Sequence, residues 1–399
     1  MKNKITLTLT IFSFLSFVSL AQHRSIAFEH GSFKEIKEKA LKENKLIFID
    51  AFTTWCGPCK QMSKNVFTND TVADYYNKNF VNAKIDMEKG EGIELAKQYD
   101  VRCYPNLLFV DGNGNLVHRT AGSMSVREFV SLAEETKNTE KCFSYYSKNY
   151  DANKSNADFL RKYISAREGT CLDADNLVND YFSLQKSSDL LNKENWEMIQ
   201  LHTNSMFTNE YDFLVSNKQK FEELYTTKSV NEKLDDIHKN TLFAIIKAKP
   251  LDEVYYQKVK SKILTLNTEG SKLVAFDADL KLARKKEDWN AFAKLAVENI
   301  DVYYKDDVGM LNSIAWDFYE KVDNKDALLK AEEWAKKASD LEKNYAFLDT
   351  YASVLYKLEK KQLALDAANK AIEEAKKEKL VAADYQGTID LLKKIKELK

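Results

Sequence analysis

Residues 46–60 of this 399-residue chain read Leu46-Ile47-Phe48-Ile49-Asp50-Ala51-Phe52-Thr53-Thr54-Trp55-Cys56-Gly57-Pro58-Cys59-Lys60. The near-continuous apolar run up to Ala51 is typical of a strand covered on both faces of a sheet, and we expect a helix to begin at about Gly57. Cys56 then lies among the unpaired N–H groups at the positive end of the helix dipole, which favours its thiolate over its thiol. Cys59, one turn further on, can close a disulfide with Cys56. A pair of thiols that can form a disulfide with each other is the minimum that thiol–disulfide exchange requires.

Helix and strand patterns alternate around this stretch. Two capping boxes, Ser32 with Glu35 and Ser125 with Glu128, predict the starts of two helices that end near residues 43 and 136. The Asp-Gly-Asn-Gly run at 111–114 predicts a hairpin turn. Further helices are expected over 57–66, 71–78 and 91–99, and strands over 46–51, 81–85, 107–110 and 116–119. This order predicts a βαβαββα topology.

These segments resemble the thioredoxin family. A second segment, similar to that family's cis-proline strand, reads Val101-Arg102-Cys103-Tyr104-Pro105-Asn106-Leu107-Leu108-Phe109-Val110. The spacing and flanking residues most resemble periplasmic thioredoxin-like domains typified by the C-terminal domain of DsbD. The resemblance extends from about Phe28 to Thr136. It implies an α/β thioredoxin-like domain, in which helices flank a central mixed sheet.

The resemblance also implies the catalytic residues. Cys56, at an exposed helix start, is expected to attack the substrate disulfide, and Cys59 then resolves the mixed disulfide. Asp50 matches the family's buried acid beneath the second cysteine, where burial raises the carboxyl pKa and lets it take the proton of Cys59. The alternative for Asp50 is a carboxylate at the edge of the core that caps a turn. The family often has a lysine near this acid, and our register places Asn82 at that position.

Five further residues are expected to contact the substrate. Pro58 lacks an N–H and therefore suits the first helical turn, next to Gly57. Pro105 resembles the cis-proline that faces the two cysteines and exposes the backbone of Tyr104 to an extended substrate segment. Trp55 is expected to shield the face of the first thiol, with simple packing as the alternative.

Three other cysteines are harder to place. Cys142 and Cys171 flank a predicted helical hairpin and could form a structural disulfide or remain two buried free thiols. Cys103 is then left over, as a thiol that forms mixed disulfides or a covalent dimer, or as an inert one. The chain has no second Cys-x-x-Cys pair and no His-x-x-x-His motif, so no metal site is expected. No cofactor is implied.

Glycine and proline become rare in the second part of the chain. Residues 142–399 hold four of the eleven Gly and one of the three Pro, which indicates an all-α region. The segment 312–319 resembles 349–356, and alanines near 331–338 recur near 364–371, which predicts tetratricopeptide-like helical hairpins. An irregular helical domain is the alternative. The predicted domains are therefore a signal peptide (1–21), a thioredoxin-like domain (22–141), a helical region (142–250) and a helical-repeat region (251–399).

The N-terminus has the pattern of a secretory signal. Lys2 and Lys4 precede an apolar run over 5–18, and Ser19-Leu20-Ala21 offers small residues before a cleavage site at Ala21-Gln22. An uncleaved anchor is the alternative. The expected location is the periplasm or another extracytoplasmic space. The formal net charge is −1, and charges of both signs are mixed along the chain without a basic stripe. Nucleic-acid binding therefore has no electrostatic basis.

Two classes of function follow from these patterns. In the first, the chain is an extracytoplasmic thiol–disulfide oxidoreductase acting on disulfide-containing proteins. Its Gly-Pro pair resembles reductive thioredoxins, which favours a reductase over an oxidase or isomerase and implies a membrane thiol-relay donor of the DsbD or CcdA kind. In the second, the helical repeats bind a protein partner, and the thioredoxin-like part is a structural or chaperone-like module.

Overall fold

The computed structural model describes residues 24–398, so the predicted signal peptide lies outside the described residues. The first part is an α/β domain around a five-stranded mixed sheet. The order across this sheet is β1-β3-β2-β4-β5, with β1 and β2 parallel to β3 and with β4 antiparallel to both β2 and β5. The strands are β1 (Phe28–Glu29), β2 (Leu46–Phe52), β3 (Phe80–Asp86), β4 (Asn106–Val110) and β5 (Leu116–Ala121). The predicted α/β class is confirmed, and the short strand β1 is an addition that the sequence patterns did not indicate.

Five helices surround the sheet. Both predicted capping boxes are present, at Ser32 with Glu35 and at Ser125 with Glu128. Each box satisfies N–H groups that the first helical turn leaves without partners. The helices are α1 (Phe33–Glu43), α2 (Gly57–Asn65), α3 (Asp70–Asn79), α4 (Gly92–Gln98) and α5 (Val126–Glu135).

The two faces of the sheet bury different side chains, because successive residues of a strand point to opposite sides. Phe48 and Phe109 belong to a core that α2, α3 and α5 cover. In this core the rings of Tyr76 and Phe129 stack with 4.2 Å between their centroids. Ile47 lies on the opposite face, which α1 and α4 cover. Each large apolar side chain buried in this way contributes about 1.5–3 kcal/mol to folding.

Three more helices belong to the same compact unit, which ends at Lys186. The backbone N–H of Phe143 donates to Nδ1 of the buried His118 on β5, at 3.1 Å. The backbone N–H of Ala121, at the end of β5, donates to the carbonyl of Gly169 at 2.9 Å. These hydrogen bonds attach the added helices to β5. They are α6 (Phe143–Asn153), α7 (Ala157–Glu168) and α8 (Asp175–Ser183).

The second compact unit begins at Ser187 and is helical. The repeated segments 312–319 and 349–356 lie in α16 and α18, each followed by an alanine-rich helix whose central alanines are fully buried. The predicted hairpins are therefore present, and their assignment as tetratricopeptide-like stays a prediction. The helices are α9 (Lys193–His202), α10 (Asn209–Ser216), α11 (Lys218–Tyr225), α12 (Thr227–Lys247), α13 (Glu253–Leu264), α14 (Glu269–Lys286), α15 (Trp289–Tyr303), α16 (Val308–Lys321), α17 (Lys325–Leu341), α18 (Tyr345–Lys357), α19 (Lys361–Lys377) and α20 (Gln386–Glu397).

Within residues 24–398, no helix combines the length and the apolar character that crossing a bilayer requires.

Candidate active site

The two cysteines of the quoted motif lie where β2 passes into α2. Cys56 is the N-cap of α2, and its Sγ accepts a hydrogen bond from the backbone N–H of Cys59 at 3.1 Å. The two residues are joined by a disulfide, with 5.3 Å between their Cα atoms. On reduction, a thiolate at Cys56 would keep this N–H donor and the positive end of the helix dipole. The geometry therefore stabilises negative charge on the first sulfur.

The expected exposure of Cys56 is corrected by the structure. Cys56 is only 3% exposed and Cys59 2% exposed in the disulfide-bonded state. The sulfur of Cys56 is bonded to that of Cys59 and accepts the N–H of the same residue, in the first turn of α2. The preceding Trp55 is instead the exposed residue, at 65%.

Trp55 forms an aromatic contact beside the disulfide. Its ring lies edge-on to that of Tyr104, with 6.0 Å between centroids, and its Nε1 donates to the carboxylate of Glu88 at 2.9 Å. Burial and the nearby Glu88 raise the pKa of the Tyr104 hydroxyl. Trp55 thus links the motif to the segment before Pro105. The peptide bond between Tyr104 and Pro105 is cis, as the resemblance predicted.

Asp50 is buried on β2 and bound to a lysine on the neighbouring strand. Its side chain is 1% exposed, and its Oδ2 accepts a hydrogen bond from Nζ of Lys84 at 2.7 Å. Its Oδ1 has no hydrogen-bond partner among the described residues. Burial raises the pKa of Asp50 above its ordinary value, and the charge of Lys84 opposes that rise. The carboxyl group can therefore hold a proton at a higher pH than an exposed aspartate.

The expected replacement of the family's lysine by Asn82 was wrong. In the observed register Asp50 pairs with Lys84, and Asn82 pairs with Phe48. Asn82 donates instead to Asn77. A shift of two residues keeps a side chain on the same face of a sheet, so the alternation of apolar residues could not distinguish these positions. Equal counting gives Lys84 only from the observed start of β3 at Phe80, one residue before the start that the sequence predicted.

A cavity of about 330 Å³ opens beside Cys59 and Lys84. Ser63 lines it and accepts a hydrogen bond from Nζ of Lys84 at 2.5 Å. Thr53 also lines it, and its buried Oγ1 has no hydrogen-bond partner in the described part of the chain. A cavity of this size has room for several water molecules. Sequence reasoning did not find Lys84, Ser63 or Thr53, because they meet only once α2 packs on the sheet.

The possible disulfide between Cys142 and Cys171 is not formed, and of the two buried free thiols that were the alternative only Cys142 is one. Cys171 is bonded to Cys103, with 6.2 Å between their Cα atoms. Cys103 is therefore not the left-over thiol. Cys142 is a free, buried cysteine whose Sγ lies 3.4 Å from the carbonyl oxygen of Asn138. Cys142 lies against backbone carbonyls at the end of α5 and just after it. The loop that carries Cys171 lies near Cys103, which precedes β4, so Cys171 bonds to Cys103.

Comparison with known proteins agrees with this geometry. Residues 33–137 match the family model of the thioredoxin-like domain. The first part of the chain is thus a thioredoxin-like α/β domain, and a largely helical region follows it.

Three relatives illustrate the similarity. Thioredoxin-1 of Drosophila melanogaster is 40% identical over 74 residues, which cover 18% of this chain and 64% of that protein. The thiol:disulfide interchange protein DsbD of Colwellia psychrerythraea is 30% identical over 115 residues, covering 25% of this chain and 19% of that protein. A solution structure of a candidate disulphide-isomerase from Bacteroides thetaiotaomicron is 49% identical, covers 30% of this chain and 98% of that one, and gives a TM-score of 0.28. The chain therefore spans less than two thirds of the length of these two curated relatives.

Proposed function

We propose that this chain is an extracytoplasmic thiol–disulfide oxidoreductase that reduces protein disulfides through Cys56 and Cys59. The observation that carries the proposal is the Cys56–Cys59 disulfide at the start of α2, in the same domain as a buried, lysine-bound Asp50. The similarity to thioredoxin and DsbD supports the same class of reaction.

The first step begins from the reduced pair. The thiolate of Cys56 attacks one sulfur of a substrate disulfide, a mixed disulfide forms, and the other substrate sulfur leaves as a thiolate. The backbone N–H of Cys59 and the helix dipole stabilise the attacking anion. In the proposed binding mode, an extended substrate segment pairs with the backbone of Tyr104, and Trp55, Gly57 and Pro58 form the adjoining surface.

The second step needs a base for Cys59. Asp50, with its raised pKa, takes the thiol proton of Cys59, and its partner Lys84 lines a cavity together with Cys59 in which water can relay this proton. The new thiolate attacks the sulfur of Cys56, and the second substrate thiolate leaves. Asp50 returns its proton to one substrate thiolate and solvent protonates the other. The products are a substrate dithiol and the Cys56–Cys59 disulfide, so two electrons have moved to the substrate.

The next turnover requires an external dithiol. We propose a membrane thiol relay of the DsbD or CcdA kind as this donor, because a reductase outside the cytoplasm has no direct access to cytoplasmic reductants. The secretory pattern at the N-terminus and the similarity to DsbD support the extracytoplasmic location. The helical unit from Ser187 onward is proposed to bind the substrate or another protein partner.

The test is reduction of insulin by the full-length protein, with dithiothreitol as the electron source. Cys56→Ser is expected to lower the catalysed rate at least about 100-fold. Cys59→Ser, reduced and then freed of dithiothreitol before insulin is added, is expected to accumulate a mixed disulfide with the substrate, visible on a non-reducing gel. Cys142→Ser removes a free thiol elsewhere and serves as the matched control, with an unchanged rate. Equal rates for wild type and Cys56→Ser would refute the enzyme proposal and favour the interaction protein.

A further inference from the structure

The loop between α7 and α8 is attached to the end of the sheet where Pro105 lies. Cys171 in this loop is bonded to Cys103, two residues before Pro105. Two residues before Cys171, the carbonyl of Gly169 accepts the backbone N–H of Ala121 at 2.9 Å. One covalent bond and one backbone hydrogen bond therefore hold this loop against the sheet. The 167–173 loop is defined here as the last two residues of α7 together with the five that follow.

The attachment points are close to the proposed substrate strand. Ala121 pairs with Asn106, which directly follows Pro105. The next residue, Gly122, donates its backbone N–H to the carbonyl of Pro105 at 2.9 Å. The 167–173 loop and the cis-proline segment thus share one end of β4 and β5.

A continuous set of contacts connects the attacking cysteine with this loop. Trp55 precedes Cys56 and packs edge-on against Tyr104. Tyr104 directly follows Cys103, and Cys103 is bonded to Cys171. The segment that presents Tyr104 is therefore held on one side by an aromatic contact and on the other by a disulfide.

The loop also presents charge to solvent. Cys171 is exposed. The Nε of Arg167 donates a hydrogen bond to the carbonyl of Asp173 at 2.6 Å, and this bond joins the two ends of the loop. Arg102 lies beside Cys103 and pairs with Asp100 at 2.8 Å. Both guanidinium groups act on Asp100 and lower its pKa, although its hydrogen bond with Arg102 has the larger effect. Arg167 therefore holds the ends of the loop together, and Arg102 places an exposed positive charge beside the cis-proline segment.

We propose that the 167–173 loop is one wall of the site that binds the polypeptide around a substrate disulfide, and that the Cys103–Cys171 bond positions this wall. This inference rests on the proposed function and adds a specificity element to it. A polypeptide segment extending past Tyr104 would contact the loop, whereas a small disulfide would need to reach only Cys56. A bond that fixes the wall before binding reduces the ordering cost paid on association.

The experiment compares two substrates with the full-length protein. Reduction of insulin and of 5,5′-dithiobis(2-nitrobenzoate) is followed for wild type and for the double variant Cys103→Ser/Cys171→Ser. The variant is expected to raise the KM for insulin about tenfold at an unchanged kcat, and to leave the rate with the small disulfide within twofold. Cys142→Ser is the matched control and should change neither substrate. Peptide mapping under assay conditions is expected to show Cys103–Cys171 intact in the wild type; a bond that opens there cannot position the wall during turnover and would overturn the inference.

A second variant does not depend on the disulfide. Arg167→Ala keeps both cysteines and is expected to raise the KM for insulin severalfold without affecting the small disulfide. Unchanged insulin kinetics in both variants, or an equal loss with both substrates, would overturn the inference while leaving the oxidoreductase proposal intact. A wild type that reduces neither substrate would refute the proposed function itself and with it this inference.

Discussion

Asp50 and Lys84 face each other on neighbouring parallel strands, with 2.7 Å between Oδ2 of the carboxylate and Nζ of the ammonium group. Burial favours the protonated acid, and the lysine favours the carboxylate. In the proposed reaction this pair sets the pH at which Asp50 acts as a base. Lys84, the partner of Asp50, lines the same cavity as Cys59.

Asp50→Asn should slow resolution of the mixed disulfide, because the amide cannot accept the proton of Cys59. We expect a loss of about 100-fold at neutral pH, within the usual range for a positioned base. Stopped-flow release of the substrate from a preformed mixed disulfide measures this step. As the pH falls through the raised pKa of Asp50, the wild-type rate should approach that of the variant. Indistinguishable rates at pH 8 would exclude Asp50 as the base.

The same substitution should stabilise the fold at neutral pH. The folded-state pKa of Asp50 is raised above its unfolded value, so its contribution to stability is fully present below the unfolded pKa and is lost as the pH rises through the folded pKa. Asn cannot ionise and avoids that loss. The Tm of Asp50→Asn should exceed that of wild type at pH 8, with a smaller difference at acidic pH. The exposed Asp74→Asn is the control and should show no such pH-dependent gain.

Lys84→Gln should move the pH profile of the reaction upward. The positive charge of Lys84 lowers the pKa of Asp50, so removing it lets burial raise that pKa further. The pH at which the insulin-reduction rate is half-maximal should therefore be higher than in wild type. Lys97→Gln changes a surface lysine paired with Glu94 and should leave the midpoint in place. A midpoint that stays the same or falls in Lys84→Gln contradicts the proposed coupling.

His118 should remain neutral well below the usual histidine range. Burial lowers its pKa from 6.5 to about 4, and its Nδ1 accepts the N–H of Phe143. Because the unfolded state binds the proton more tightly, this histidine contributes stability that is present above pH 6.5 and is lost as the pH falls toward 4, by roughly 3 kcal/mol.

An NMR titration of the histidine rings checks this value. His238 also has a pKa lowered to about 4 by burial. The ring resonances of His118 and His238 should therefore both titrate near pH 4. The variant His118→Gln should remove one of them and identify it. A midpoint near 6.5 for the resonance assigned to His118 would show that the ring is accessible to solvent.

The cysteine pairing can be tested by mapping. Non-reducing digestion should yield one cross-linked peptide pair containing Cys103 and Cys171, and an intramolecular disulfide between Cys56 and Cys59. Cys142 should resist iodoacetamide in the native protein, because burial raises its thiol pKa, and should react after denaturation. A peptide pair joining Cys142 to Cys171 would refute the pairing, and rapid labelling of native Cys142 would refute its burial.

Much of the first domain could be predicted from local patterns. The capping boxes at Ser32 and Ser125 and the Asp-Gly-Asn-Gly turn each act over a few residues, and the structure places helix starts and a hairpin there. The two alanine-rich hairpins near the end of the chain were also visible as a repeat. Their assignment to a repeat family could not be decided, because helical hairpins of many kinds bury small residues.

The candidate site also has one part that the local sequence predicts and another part that depends on tertiary structure. The junction of strand, cysteine pair and helix is contiguous in the sequence, so Cys56 and Cys59 could be placed at the start of a helix. Lys84 was missed because strand register depends on the pairing of segments more than thirty residues apart. The alternation of apolar residues specifies which face a residue occupies and leaves its position along that face open.

Apart from the short strand β1, the sequence by itself determined the order of the elements in the thioredoxin-like domain and the position of its paired thiols, because these depend on propensities and spacings within single segments. Only the tertiary structure decided that Asp50 meets Lys84 and that Cys171 pairs with Cys103 and not with Cys142. Both outcomes depend on which distant segments come together when the sheet and its helices pack. No local pattern carries that information.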